Sequence, residues 1–414
     1  MKYEFRSVLF LGIGGISMYQ LALAFKDLGV KVVGYDIKES KYTKICVEHG
    51  IKVVHNFNKD FCGVDLCVKT GAVKSGRYLN NLKKRGVPIV DRAEVLSWFC
   101  SKFKQVIAVA GTHGKSTTAS LIYEILRQDG RKVSCHIGAD VFAPRFNFGD
   151  DYLVVEACEY NKSFLTLYPN VSVVTNVEAE HMDSYGSIFN LRNAFSTFLK
   201  RAEKRFVLLS QSTEFLKRFK NIEFVEMSNL KFDPKIKGEH NLKNISLATS
   251  VCSALGVSED TIIKAINSFK GVPRRYELIG KAKNSKVYID YAHHPTEIKS
   301  FIETFNKEYE DNQIIFQPHT FSRTKTFFKE FVEVLSKVEN LIVYKEYPAR
   351  EKKVAGKSAK ELYLEIKKYN PNVKYCASMF SVLNYIDNVD AVAFVGAGDI
   401  NLVAEKVVKY CKNV

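Results

Sequence analysis

Residues 108–120 read AVAGTHGKSTTAS: the end of an apolar strand, a glycine-bearing turn, and the start of a helix that continues as LIYEILRQ. Gly-Lys-Ser at such a junction points to a bound nucleoside triphosphate. Backbone amides and a helix N-terminus meet the anion where the strand stops. The usual phosphate loop is longer between its first glycine and the Gly-Lys pair, whereas here only Thr112 and His113 separate Gly111 from Gly114. Lys115 is placed to neutralise the β and γ phosphates, and the Ser116 hydroxyl to ligate magnesium.

Outward from this loop, apolar runs such as VLFLGIG, VKVVGYD, LVVEACE and VSVVTNVEAEH alternate with amphipathic stretches along nearly the whole chain. That alternation predicts an α/β fold of parallel sheets with crossover helices. Punctuation by Gly and Pro separates three blocks, residues 1–98, 99–270 and 271–414, and no short internal repeat is present.

A chain of 414 residues is long enough for two or three domains with their own cores. The 61 Lys plus Arg against 45 Asp plus Glu leave a formal charge of +16, a balance compatible with nucleic acid, an anionic membrane or anionic small substrates. The excess is scattered lysine, as in KDLGVK, NLKKRG and EIKKYN, and no Arg-rich stripe accompanies it. A solvated basic surface serving small polyanions is therefore expected, without a nucleic-acid partner. Nine cysteines, an odd number with no Cys-x-x-Cys, read as reduced thiols in a cytoplasm. The N-terminus lacks a signal-peptide pattern, and no apolar run approaches the ~20 residues of a membrane span, so a cytoplasmic protein without membrane insertion is expected.

A second glycine loop, Gly12, Gly14 and Gly15 in FLGIGGISM, also lies between a strand and a helix. Ser17 stands where a strict dinucleotide fingerprint has glycine, leaving three readings open: a dinucleotide site, another phosphate-bearing ligand, or a tight turn. Asp36, ending VKVVGYD, reads either as a ribose-binding acid or as a strand-end turn residue.

Eight motifs in one order then carry a resemblance: GTHGKSTT, VVEACEY, VVTNVEAEHMD, GEHNLKN, GVPRRYE, DYAHHPTE, FQPHTFSRTK and GAGDI. Together they resemble the ATP-dependent Mur ligases over essentially the entire chain. The resemblance implies three domains on the block boundaries above: a Rossmann-like N-terminal domain for a UDP-sugar, a central ATPase domain, and a Rossmann-like C-terminal domain for the amino acid and part of the ATP. GIGGISM, HHPTE and QPHTFSRT look like the branch that joins L-alanine to UDP-N-acetylmuramate through an acyl phosphate. Two rivals stay open, a ligase that attaches a preformed peptide to the same UDP-sugar and a nucleic-acid-binding ATPase.

The resemblance also implies roles. Gly111, Thr112, His113, Gly114, Lys115, Ser116 and Thr117 would hold the ATP phosphates, with His240, Asn241 and Asn244 at the adenine. Ser116, Glu156 and His181 would hold magnesium or manganese, His181 directly or through a water. Adjacent strands are expected to bring Glu156 and His181 to one sheet edge. Glu159 is a further contact to the metal shell or the sugar. Arg275 and Asp290 would address the ATP and the transferred phosphoryl group. Tyr291, His293, His319 and Arg323 would surround L-alanine, Arg323 on its carboxylate and either histidine as base. The first loop becomes a cradle for the UDP pyrophosphate, built from Gly12, Gly14, Gly15, Ile16, Ser17 and Met18, with Asp36 and Thr70 beside the nucleotide. Thr320 and Ala292 depart from common residues of the family, which bears on selectivity for alanine. Either a monomer or a homodimer is compatible with these residues.

Overall fold

The computed structural model describes residues 5–56, 63–71, 73, 77–139, 146–349, 351, 358–386 and 388–412. It contains three sheets, one in each block anticipated from sequence. The first is built from β1 (Ser7–Leu11), β2 (Lys31–Tyr35), β3 (Lys52–Val54), β4 (Leu66–Lys69) and β5 (Ile89–Asp91), ordered β3-β2-β1-β4-β5 and parallel throughout. The second takes β6 (Gln105–Ala110), β7 (Val133–His136), β8 (Tyr152–Glu156), β9 (Val171–Val174), β10 (Lys204–Leu208) and β11 (Glu223–Val225), ordered β11-β10-β9-β6-β8-β7 and again parallel. The third has β12 (Glu277–Ala282), β13 (Ser285–Asp290), β14 (Asn312–Phe316), β15 (Leu341–Tyr344), β16 (Lys374–Cys376) and β17 (Ala391–Val395), ordered β12-β13-β17-β14-β15-β16.

The central strands SVLFL, QVIAVA and AVAFV are apolar and buried along nearly their whole length, as a sheet covered by helices on both faces requires. One expectation needs correction. The third sheet is not purely parallel, because β12 runs antiparallel to β13. The turn between them is only Lys283 and Asn284, with Lys283 at φ +53°, and so short a connection can join only antiparallel neighbours.

Strand order decides where ligands can go. In the first sheet β1 lies between β2 and β4, and in the second β6 lies between β9 and β8, so successive crossovers leave on opposite sides and open a crevice beyond the carboxyl end of the middle strand. Both glycine loops follow these middle strands.

The chain forms two compact units, Met1–Pro234 with Lys243–Phe269, and Lys235–Leu242 with Lys270–Val414. In the first unit one apolar core serves the first two sheets. Helix Arg92–Cys100 supplies Phe99, whose ring centroid is 5.0 Å from that of Phe25 and 5.2 Å from that of Phe146. In the second unit Phe301, Phe305 and Phe331 cover one face of the sheet, while Ile400, Ala404 and Val407 of helix Ile400–Lys412 cover the other. Cys46, Cys67, Cys100, Cys135, Cys158, Cys252, Cys376 and Cys411 are free thiols, and Cys62 lies outside the described residues. No helix among the described residues is long and apolar enough to cross a membrane.

Candidate active site

The phosphate loop leaves β6 at Ala110 and enters helix Lys115–Gln128. Gly111 (φ +145°) and Gly114 (φ +81°) adopt backbone that L-residues avoid, and a Cβ on either would run into Thr175 Oγ1 or Asn244 Oδ1 respectively. The loop is strapped to the chain leaving β9. Asn176 Oδ1 accepts from His113 N at 2.8 Å, Asn176 O from Thr112 N at 3.1 Å, and Thr112 Oγ1 from Glu178 N at 2.9 Å. Thr117 and Thr118 are buried in the first turn of the helix, and Thr118 Oγ1 donates to Asn244 Oδ1 at 3.3 Å.

Lys115 is folded back on its own loop. Its ammonium donates to Gly111 O at 2.6 Å and Thr112 O at 3.0 Å, and lies 2.9 Å from Glu159 Oε2. Burial by itself pushes the ammonium down, but Glu159, Cys158 and Glu156 outweigh it and the net shift is upward. Glu159 mirrors this: burial raises it, Lys115 and His181 lower it, and the net is below the usual carboxylate range. Each partner thus keeps the other ionised.

Ser116 Oγ donates to Glu156 Oε2 at 2.8 Å, and Gly138 N donates to the same oxygen at 2.8 Å. His181 is placed differently from the expectation. β8 and β9 are not neighbours but flank β6, and His181 sits beyond β9 at the start of the short helix Met182–Tyr185, in left-handed backbone (φ +56°). Its Nε2 is 3.6 Å from Glu159 Oε1, and Glu159, Glu180 and His181 bring one ligand atom each within 4.8 Å of the others. Two oxygen-rich groups therefore flank Lys115, Ser116 with Glu156 and Glu159 with Glu180 and His181.

At the first loop, Gly12 (φ +85°) leads into helix Ile16–Asp27, and Gly15 N donates to Gly12 O at 3.1 Å. Asp36 Oδ2 accepts from Gly14 N at 2.8 Å, so this carboxylate shapes the loop. Thr70 packs where a Gly12 side chain would stand, and Met18 is buried beneath the helix. The Ser17 hydroxyl accepts from Arg92 Nη1 at 2.9 Å and is 2.7 Å from His136 Nε2.

In the second unit Asp290 ends β13 and is almost fully buried. Its two oxygens accept from Tyr276 N and Ala292 N, each at 2.7 Å. Burial raises its carboxyl to about 6 in spite of nearby Arg275. Arg275 lies 3.3 Å from Glu297 Oε1, and Arg274 and Arg275 stack on Tyr291 with their guanidinium carbons 4.8 and 5.3 Å from the ring centroid. His240 Nδ1 is 2.9 Å from Ser300 Oγ, and Asn241 Nδ2 donates to Lys237 O at 2.7 Å.

The two histidines expected at the amino acid use Nδ1 in opposite ways. His293 Nδ1 faces two acceptors, Tyr291 O at 2.9 Å and Glu297 Oε2 at 3.3 Å, which places a proton on Nδ1. His319 Nδ1 is 3.0 Å from Arg323 Nη1, an obligate donor, so that lone pair is used and the proton lies on Nε2. Burial, then Arg323, lowers His319 to about 4, and its ring stacks on Tyr347 at 5.7 Å. Thr320 caps the following helix from φ +66°, ψ 144°.

Several of these contributors escaped sequence reading. Glu180 was hidden in what looked like a strand extension, and Asn176, Arg92 and Tyr347 carry no local signal. Glu297 had one: His294 and Glu297 form a capping box around Pro295, legible in HHPTE.

A phosphate loop at a switch point, flanked by paired carboxylates, defines a nucleotide-dependent phosphoryl-handling protein of the α/β class. Three family models match the chain: Mur ligase family, catalytic domain (residues 7–104), Mur ligase middle domain (109–228) and Mur ligase, glutamate ligase domain (274–404). UDP-N-acetylmuramate--L-alanine ligase of Caldicellulosiruptor saccharolyticus is 36% identical over 94% of this chain and 96% of its own length. The crystal structure of UDP-N-acetylmuramate-alanine ligase from Thermotoga maritima superposes with a TM-score of 0.84 at 23% identity, covering 98% of this chain and 99% of that one. A murein peptide ligase from Psychrobacter arcticus gives 0.72 at 20% identity, covering 99% of each chain. The chain belongs to the Mur ligase family, and its three sheets are that family's three-domain architecture. It is accordingly an ATP-dependent ligase.

Proposed function

We propose that this ligase joins L-alanine to UDP-N-acetylmuramate, with ATP cleaved to ADP and phosphate, as a step of peptidoglycan precursor synthesis in the cytoplasm. The observation that carries the proposal is the full-length 36% identity to a named L-alanine ligase, taken together with Lys115, Glu156, Glu159 and His181 around one phosphate loop. Domain boundaries near residues 98 and 270 follow the punctuation between sheets.

The chemistry explains the residues. A carboxylate cannot expel oxide, so the muramoyl carboxylate oxygen first attacks the γ-phosphorus of ATP and ADP departs. The amine nitrogen of L-alanine then attacks the acyl carbon, loses a proton, and the tetrahedral adduct expels phosphate as the amide forms. Two anions must meet in the first step, and Lys115 supplies the fixed cation, exchanging Glu159 and the loop carbonyls for phosphate oxygens. The bare loop amides at Gly111 and Gly114 suit the β-phosphate, since no side chain fits there. Ser116 and Glu156 offer oxygen ligands suited to magnesium or manganese, and Glu159, Glu180 and His181 form a second such set. The metal, when bound, offsets phosphate charge.

Gly12, Gly14, Gly15, Ile16, Ser17 and Met18 would hold the UDP pyrophosphate, with Thr70 alongside, and Asp36 would act by fixing Gly14. His240, Asn241 and Asn244 are assigned to adenine, Arg275 and Asp290 to the phosphates, and Tyr291, His293, His319 and Arg323 to L-alanine. Between the histidines, His293 has the Glu297 carboxylate behind Nδ1, which favours an imidazole that gains a proton, whereas His319 faces Arg323, so we assign the base to His293 and a positioning role to His319.

The test is phosphate release from ATP and magnesium with UDP-N-acetylmuramate, adding L-alanine, glycine, L-serine or the muramyl tripeptide separately, with product mass recorded. Dependence on both the UDP-sugar and L-alanine is expected. Turnover with tripeptide alone would move the assignment to the peptide-attaching branch.

A further inference from the structure

The first glycine loop and the phosphate loop are joined by a short run of three residues. At the end of β7, His136 Nε2 meets Ser17 Oγ at 2.7 Å, Ile137 O accepts from Gln20 Nε2 at 2.9 Å, and Gly138 N donates to Glu156 Oε2 at 2.8 Å. Glu156 is in turn held by Ser116 of the phosphate loop. The helix that opens the first loop is thus hydrogen-bonded to the same run that holds the carboxylate beside Lys115.

This joint is under-satisfied. His136 is 3% and Gln20 1% exposed, yet His136 Nδ1 and Gln20 Oε1 have no hydrogen-bond partner among the described residues. Buried polar atoms in native proteins nearly always have partners, and a half-satisfied network is the kind that rearranges when a competing partner arrives. Ser17 provides the competition. Its hydroxyl is already engaged by both Arg92 and His136, so an anion in the glycine loop that takes Arg92 and Ser17 competes with that arrangement.

Building on the functional reading above, we propose that the segment His136–Gly138 is a positioning strap that couples occupancy of the first glycine loop by the UDP-sugar to the placement of Glu156, and hence to the binding of metal-bound ATP. An anion that draws Ser17 and Arg92 toward itself releases His136, and the strap transmits the shift to Gly138 and Glu156. His136 and Gln20 are positioning residues in this scheme, touching neither reacting group. Because coupling between two bound ligands is reciprocal, each ligand must change the affinity for the other by one and the same factor.

Calorimetric titration tests this on the full chain. The affinity for a non-hydrolysable ATP analogue with magnesium is measured with and without saturating UDP-N-acetylmuramate, and the converse titration is run as well. In the wild type both ratios are expected to agree at about fivefold or more. His136→Leu and, independently, Gln20→Met should bring the ratio close to one while each ligand alone binds within about threefold of wild type, and His136→Gln, which keeps a polar group near the Nε2 position, should restore much of it. A wild-type ratio of one, or a ratio unchanged in both variants, overturns the coupling, as does a parallel loss of both isolated affinities at constant ratio. Failure of the wild type to bind UDP-N-acetylmuramate at all overturns the functional reading and the strap with it.

Discussion

The phosphate loop of the first unit and the Asp290–Arg323 region of the second shift buried titratable groups in opposite senses, the first toward the charged form and the second toward the neutral one. Around Lys115 the charges are locked: burial acts against both Lys115 and Glu159, but each sits within 2.9 Å of the other and both stay ionised. In the second unit burial wins. Asp290 rises to about 6 although Arg275 opposes it, and His319 falls to about 4 with Arg323 reinforcing the shift. Burial by itself does not choose the direction of a shift; its balance against the distance and sign of the nearest charge does. Lys115 therefore stays a permanent cation beside its loop, whereas Asp290 and His319 are moved toward their neutral forms.

The largest effect is expected at the locked pair. Lys115→Met should lower turnover by about a thousandfold, read as phosphate release, and should also lower Tm, since buried Glu159 loses its ammonium partner and keeps only His181 at 3.6 Å. Adding Glu159→Gln should recover the Tm without the turnover. If the double variant stays as unstable as the single one, the pair is not the source of the stability loss and the contrast between the two regions fails.

Next come the histidines. His293→Asn should reduce kcat by about a hundredfold, with the acidic limb of the kcat–pH profile lost, whereas His319→Asn should act chiefly on the KM for L-alanine. Equal effects of the two on kcat would break the assignment of the base.

Asp290 gives a smaller, pH-dependent effect. Its folded-state value of about 6 lies above the unfolded value of about 3.9, so the fold favours the protonated form. The resulting stability is complete below about pH 4 and is lost as pH rises through about 6. Asp290→Asn stays neutral throughout, so thermal melts should show its stability relative to wild type improving by about 2 kcal/mol between pH 4 and 7.5. A relative stability that instead falls as pH rises would place Asp290 in the same class as Glu159, whose carboxyl is lowered.

The smallest effect concerns backbone. Thr320 occupies φ +66°, ψ 144°, a region that disfavours a β-branched residue. Thr320→Gly should stabilise by about 1 kcal/mol, because relief of strain exceeds the few tenths lost at the cap, where Oγ1 accepts from Arg323 N at a long 3.4 Å. A fall in Tm would show that the cap outweighs the strain.

Much of this was legible in the amino-acid order. The alternation of apolar strands and amphipathic helices, the glycines where backbone must turn beside a phosphate, and Gly-Lys-Ser at a strand end are local features, because strand burial and helix-end geometry act over a few residues. The family resemblance rested on motifs of the same local kind, and the family itself was borne out. What no local pattern carried is which side chains meet. Strand order placed β6 between β8 and β9, so Glu156 came to Ser116 while His181 came to Glu159 and Glu180. The antiparallel β12 depended on a turn only two residues long, and the opposite roles of Nδ1 in His293 and His319 depended on whether an acceptor or an arginine faced it. The residue types and the class of chemistry were therefore determined by the sequence itself. The pairing of charges, and with it each group's protonation state, was decided only by tertiary structure, since Coulomb and hydrogen-bond energies depend on separations of a few ångströms between residues far apart in the chain.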